Sequence, residues 1–284
     1  MSDVQEDATG GSMPREDAPR IPLMIRVPRR LTWDDLIYPP ATGKRLHSIV
    51  QRWRDRRCVF IDWELGRRLS SDGLICLFEG ESGLGKSEAA AAIAAELDLE
   101  LYRVNLAGLV SKYIGETEQN LHRVLDAAER RGAALVFDEA DSLFARRTTD
   151  LKGSGELAHN SQVAYLLDHI GRYRGLAMLT TNLGTVIDGA FKRRIDVWVK
   201  FEPPGPNERR GIWMLALAKA PARLSDRELE KLAAVDLVGG SIQKVVKEAA
   251  FQAAARTRPI TLELLREAIE EEFTVLGRLM MPNL

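Results

Sequence analysis

Nowhere does the chain hold an apolar run of the ~18 residues or more that a membrane-spanning helix takes, so no membrane span is expected. Met1 to Pro19 is polar and acidic rather than basic then apolar, which excludes a signal peptide from the reading. Cysteine is scarce: Cys58 and Cys76 stand apart, too few for a disulfide framework or a thiolate metal site. Cys76 lies inside an apolar run, where a small buried thiol is the expected role. Charge of either sign is also missing in net, because 40 Lys and Arg offset 41 Asp and Glu. That balance lacks the basic footprint of a nucleic-acid binder or of a protein held on an acidic membrane surface. There is no internal repeat, and no low-complexity tract beyond the alanine-rich Glu88 to Glu96, which favours helix. A cytoplasmic chain is expected, with neither membrane nor nucleic acid as partner.

What is present begins at Gly80-Glu81-Ser82-Gly83-Leu84-Gly85-Lys86-Ser87, which closes the apolar run Leu74 to Phe78 and opens the helical stretch Glu88 to Leu97. This is a phosphate-binding loop between strand and helix. Its glycines let successive backbone N–H groups curl around phosphate oxygens, Lys86 neutralises terminal phosphates, and the Ser87 hydroxyl is placed to ligate Mg²⁺ at a helix N-terminus. ATP with Mg²⁺ is the ligand such a loop predicts. Some fifty residues on, Leu135-Val-Phe-Asp138-Glu139-Ala-Asp141 is a buried-strand pattern ending in adjacent carboxylates, the Walker B arrangement. Asp138 is expected to hold the metal through water and Glu139 to polarise the attacking water.

Five apolar, β-rich runs, Leu74 to Phe78, Leu99 to Val104, Ala133 to Phe137, Gly175 to Thr181 and Asp196 to Phe201, alternate with helical spacing. They predict an α/β, doubly wound parallel sheet of five strands. After Pro203, Pro204 and Pro206 only helical patterns follow, Asn207 to Lys219, Ser225 to Ala234, Gly239 to Arg256 and Thr261 to Glu272. The expected organisation is a disordered arm over residues 1–30, a nucleotide-binding unit over 31–203 and a helical lid over 204–284. Within the arm, Arg20 to Arg30 reads as a linker or an extended docking peptide.

Asn182 ends the fourth run, where an amide reaches a γ-phosphate or lytic water only if its strand lies between the two phosphate-site strands. Arg193 and Arg194 sit on a short turn before the last strand, placed to reach a neighbouring subunit's phosphates rather than their own. Lys112-Tyr113-Ile114-Gly115 puts an aromatic and a branched apolar residue in a loop, which suits binding more than core packing.

These motifs, in this order from about Leu31 to Glu272, resemble the AAA+ ATPases. Trp33-Asp-Asp-Leu, Phe60 to Leu69, Val110-Ser-Lys-Tyr-Ile-Gly-Glu-Thr-Glu and Val163-Ala-Tyr-Leu-Leu are similar to the members encoded with extracellular contractile injection systems, phage-tail-like particles. The resemblance implies a homo-oligomeric ring, commonly a hexamer, whose central loops pull on a polypeptide. By that likeness Gly80 to Ser87 and Asp138 hold ATP and Mg²⁺, and Glu139 is the hydrolytic carboxylate. Asn182 is sensor 1, Arg193 and Arg194 are trans-acting fingers, and Lys112 to Gly115 form the substrate pore loop. Phe60, Ile61 and Asp62 fall where such proteins wrap adenine.

The sequence also departs from the pattern. Many relatives follow a Gly-Gly-x-Ile lid start with arginine, whereas Gly239-Gly-Ser-Ile is followed by Gln243 and then Lys244, the substitute considered for a second sensor. Thr149 to His159 reads as a Gly-Ser-rich loop where relatives carry charge, and Lys192 stands where they are apolar. The alternatives are a DNA-directed motor, disfavoured by the neutral balance of charge, and a non-hydrolysing ATP-bound scaffold, which would need neither Glu139 nor the arginine pair.

Overall fold

Leu74-Ile-Cys-Leu-Phe78 is apolar without alternation, and all of these side chains are buried. Such a strand needs cover on both faces. The structure, a computed structural model, describes residues 23–28, 31–67, 72–109, 116–141, 165–182 and 189–278. Its strands are β1 (Met24–Val27), β2 (Leu74–Glu79), β3 (Leu101–Val104), β4 (Ala134–Phe137), β5 (Leu176–Thr181) and β6 (Val197–Lys200). They form one six-stranded sheet in the order β1-β3-β4-β5-β2-β6.

The longer helices are α1 (Pro40–Arg57), α2 (Lys86–Glu96), α3 (Glu116–Arg131), α4 (Pro206–Leu217), α5 (Asp226–Ala234), α6 (Gly239–Ala255) and α7 (Leu262–Val275). Alternate residues of β2 feed two cores. Cys76 and Phe78 pack with Leu46 and Ile49 of α1 and Ala89 and Ile93 of α2. Ile75 and Leu77 pack on the other face with Leu121 and Val124 of α3 and with Leu166 and Ile170. The alanines of α2 are what allow close approach: Ala89, Ala90 and Ala94 are all buried against the sheet.

The strand count corrects the expectation: six, not five. The additional strand, β1, falls in the segment read as a disordered arm and pairs antiparallel with β3, Met24 opposite Val104 and Val27 opposite Leu101. Four residues, set within the five between Pro22 and Pro28, carry too little pattern to reveal a strand. As an edge strand β1 tolerates prolines at its ends, and its stability comes from pairing with a neighbour that local sequence does not disclose. The other pairings, β3 with β4, β4 with β5, β5 with β2 and β2 with β6, are parallel, as expected.

The C-terminal helices α4 to α7 enclose a separate core around Trp213, Leu232, Ile242, Leu264 and Phe273. Ser225 caps α5 in a reciprocal arrangement with Glu228, whose carboxyl is held below its ordinary range by the Ser225 backbone and hydroxyl donors. Among the described residues no helix is long and apolar enough to cross a membrane.

Candidate functional site

The strand order brings the sequence motifs together. Because β5 lies between β2 and β4, the C-terminal ends of three adjacent parallel strands present Gly80, Asn182 and Asp138 at one edge of the sheet. Ligands bind outside the carboxyl ends of such strands. The condition set for Asn182 is met.

After β2 the chain turns through Gly80 (φ 153), Gly83 (φ 81) and Gly85 (φ 85) before α2 begins at Lys86. At Gly85 an L side chain is excluded twice, by the left-handed backbone and by Tyr38, whose hydroxyl would stand 2.9 Å from an added Cβ. Tyr38 Oη donates to Gly85 O at 2.6 Å, so the lead-in segment before α1 braces the loop. Burial pushes the Tyr38 phenol well above its ordinary range, keeping it a donor.

Lys86 is buried and its ammonium donates to Gly80 O, to Glu81 O at 2.8 Å and to Asn182 Oδ1 at 2.9 Å. Desolvation lowers its pKa, opposed by the charges of Asp141, Asp138, Glu88 and Glu139. Ser87 Oγ donates to Asp138 Oδ1 at 2.8 Å, a bond that uses the hydroxyl proton and not its lone pairs. A hydroxyl and a carboxylate thus meet at a helix N-terminus, a donor set of hard oxygens that fits Mg²⁺ held partly through water. Together with the N–H-rich loop and Lys86, it fits a nucleotide polyphosphate.

Glu139 follows with φ 54, a conformation sparsely populated by residues other than glycine. Its N–H donates to Thr180 Oγ1 at 3.0 Å, and that hydroxyl donates on to Asp138 Oδ1 at 3.2 Å. Thr180, on β5, therefore ties both carboxylate-bearing residues to the central sheet. Asp141 does the same for Asn182: it accepts from Thr181 Oγ1 at 2.6 Å and from the Asn182 N–H at 2.8 Å.

Residues 76–203 match the family model described as ATPase family associated with various cellular activities (AAA). Those residues form an AAA ATPase domain. It is 31% identical over 189 residues to a cell division cycle protein 48 homolog of Archaeoglobus fulgidus, a match covering 64% of this chain and 26% of that one. With Protein SAV of Sulfolobus acidocaldarius it shares 30% over 236 residues, covering 80% of this chain and 29% of the relative. The match to an ATPase family gene 2 protein of Schizosaccharomyces pombe is 30% and spans 23% of that protein, so the chain is only a part of the length of these relatives. Its fold superposes on the FIGL-1 AAA domain crystallised with ADP at a TM-score of 0.67, 19% identity, covering 92% of this chain and 89% of that one.

The C-terminal helices of this AAA domain contact the phosphate loop directly. Gly240 N–H, at the start of α6, donates to Gly83 O at 2.9 Å, and a Cβ on Gly240 would lie 2.9 Å from Gly83 Cα. Lys244, considered as a second sensor, instead approaches Glu272 at 3.7 Å within the lid, where Glu272 also accepts from Ser241. Gln243 is exposed.

The two arginines separate. Arg194 pairs with Asp168, which also receives Arg172, and its stem packs over Gly171, where a Cβ would fall 2.4 Å from Arg194 Cδ. Arg193 is exposed, with no ion pair among the described residues. Lys192 lies over the Trp198 ring at 5.5 Å. Phe60, Ile61 and Asp62 form a widened helical turn, Cys58–Asp62, after α1, and Ile61 and Trp63 stand exposed beside it. Lys112 to Gly115 and Thr149 to His159 lie outside the described residues.

Sequence reading overlooked Tyr38, Arg103, Thr180 and Asp141 as parts of the site. Arg103 had a legible signal, a lone cation in an otherwise buried strand. The others are common residue types: Thr180 and Asp141 gain their roles only once β5 stands between its neighbours, and Tyr38 only once the segment before α1 folds onto the loop.

Proposed function

We propose that this AAA domain hydrolyses ATP with Mg²⁺ and uses the energy, in a homo-oligomeric hexameric ring, to remodel, thread or disassemble a protein substrate. The observation that carries the reading is the convergence of Lys86, Asn182, Ser87 and Asp138 at adjacent strand ends. In this reading Gly80 to Gly85 wrap the polyphosphate, Lys86 neutralises its terminal oxygens, and Ser87 and Asp138 hold the metal. Mg²⁺ supplies charge neutralisation between phosphate oxygens. Glu139 orients and polarises the attacking water while Asn182 fixes the geometry around it. Arg193, exposed on its turn, is the better-placed of the two arginines to act on a neighbour's nucleotide, with Arg194 bracing the turn. Phe60, Ile61 and Asp62 line the adenine, and Lys112 to Gly115 grip the polypeptide.

The finer proposal is service to a contractile injection particle, in its assembly or recycling. It rests on the sequence likeness of Trp33-Asp-Asp-Leu, the Phe60 to Leu69 stretch and Val110 to Glu118 to the ATPases of such systems. The experiment is capture: E139Q, purified with ATP from cells making the neighbouring gene set, is analysed by mass spectrometry for what it retains. Sheath, tube or cargo protein would support the injection reading. General cellular protein would leave only a remodelling ATPase, DNA would favour the DNA-directed motor, and equal turnover of E139Q and wild type would leave an ATP-bound scaffold.

A further inference from the structure

Arg103 stands in β3 between buried Tyr102 and Val104, opposite Val136 of β4 and on the same face as Asp138 two residues further on. Its Nε lies 2.8 Å from Asp138 Oδ2, with the guanidinium about half exposed and the carboxylate largely covered. Asp138 thereby has three partners: Oδ1 accepts from Ser87 and Thr180, and Oδ2 is ion-paired with Arg103. Nothing in a strand's packing calls for a cation here, since every other residue of Leu101–Val104 is buried.

Around the phosphate loop, Asp138, Glu139, Asp141 and Glu88 all act on Lys86. A site so acidic would attract a divalent cation without any nucleotide, were Lys86 its only positive charge. Arg103 adds a second, in contact with the carboxylate that is to share the metal.

We infer that Arg103 sets the metal affinity of the site. It fixes the rotamer of Asp138 through Oδ2, and its charge opposes a free dication, so that metal enters with the polyphosphate rather than ahead of it. Arg103 is a positioning residue, acting through Asp138. The inference rests on the nucleotide-binding reading proposed above.

The test uses the full chain at low ionic strength, where the half-exposed charge is least screened. Mn²⁺ alone is titrated into wild type, R103Q, R103M and R103K by electron paramagnetic resonance. Binding of a fluorescent ATP analogue in EDTA is measured in parallel. R103Q and R103M, which remove the charge with different shapes, are expected to bind Mn²⁺ at least tenfold more tightly than wild type, and R103K within threefold of it. Should one neutral variant not fold, the other still decides. Unchanged or weaker Mn²⁺ binding in a folded neutral variant would overturn the inference, leaving Arg103 as a strut for the carboxylate. If wild type bound no nucleotide in EDTA or with Mg²⁺, the nucleotide reading would fall and take this inference with it.

Discussion

Lys86 Nζ donates to Asn182 Oδ1 at 2.9 Å, joining two residues that lie 96 positions apart in sequence. The contact exists because β5 runs beside β2 with Glu79 opposite Thr181, so that each strand's next residues emerge side by side. A polyphosphate approaching the loop meets an ammonium already aimed by an amide, and an amide whose Nδ2 donates to Asp141 Oδ2 at 3.4 Å.

The first prediction follows from that aiming. N182A should lower ATP turnover by about 10²-fold, the scale for losing one positioned polar group at a developing charge, with nucleotide affinity changed by less than about fivefold. Steady-state turnover and fluorescent nucleotide titration separate the two. A loss confined to affinity would make Asn182 a binding residue only.

The arginine turn gives a second. R193A subunits mixed with wild type should depress turnover of the mixture below the value expected from the wild-type fraction, because a finger contributes on the order of 10³ to 10⁵ in rate to its neighbour's site. R194A, which breaks a partly exposed pair with Asp168, should instead destabilise the fold by roughly 0.5–1 kcal/mol, and D168A should do the same. Thermal melts and mixing experiments on both variants distinguish these roles. Poisoning by R194A without R193A would reverse the assignment.

The lid contact gives a third. A methyl at Gly240 would sit 2.9 Å from Gly83 Cα, against backbone that cannot rotate away, so G240A should force α6 off the phosphate loop at a cost of about 1–3 kcal/mol. Nucleotide affinity should fall by about tenfold or more. G239A, whose Cβ would meet Gly83 O at 3.6 Å, should be tolerated. Equal nucleotide affinities in the two variants would show that the contact does not matter for binding.

The fourth concerns pH. Burial holds the Lys86 pKa below its ordinary 10.5, whereas bound phosphates favour the ammonium and raise it. Between those two values binding takes up a proton. Nucleotide affinity should therefore decline as pH rises through the alkaline range below 10.5, by up to tenfold per pH unit, and K86R should stay flat. The same group makes stability of the unliganded fold rise with pH across its window, because the unfolded chain holds that proton more tightly. Titration calorimetry in buffers of different ionisation enthalpy reads the proton uptake directly.

Much of the candidate site's local backbone geometry is legible in the sequence. Gly80 to Ser87 and Asp138-Glu139 are contiguous, and their function depends on local backbone geometry: glycines at φ above 0 ahead of a helix, carboxylates at a strand exit. Local rules govern such segments, so spacing and residue type sufficed. The parallel strands were legible for a similar reason. Double-sided burial demands apolar runs, and β2, β4 and β5 supply them.

Other features were decided by tertiary structure alone. Whether Asn182 meets Lys86 depends on strand order, which no local pattern encodes. Thr180 and Asp141 became supports only when β5 and the exit of β4 were adjacent. Strand β1 took its conformation from β3 rather than from its own four residues. Arg193 and Arg194, neighbours in sequence, were parted by Asp168, a carboxylate delivered from the segment 165–170. Lys244 was drawn to Glu272 by the packing of α6 on α7. The sequence by itself determined which groups this chain brings to a phosphate. The tertiary structure decided which of them face one another, because hydrogen bonds and ion pairs act over a few ångströms and only the packed sheet brings residues a hundred positions apart within that reach.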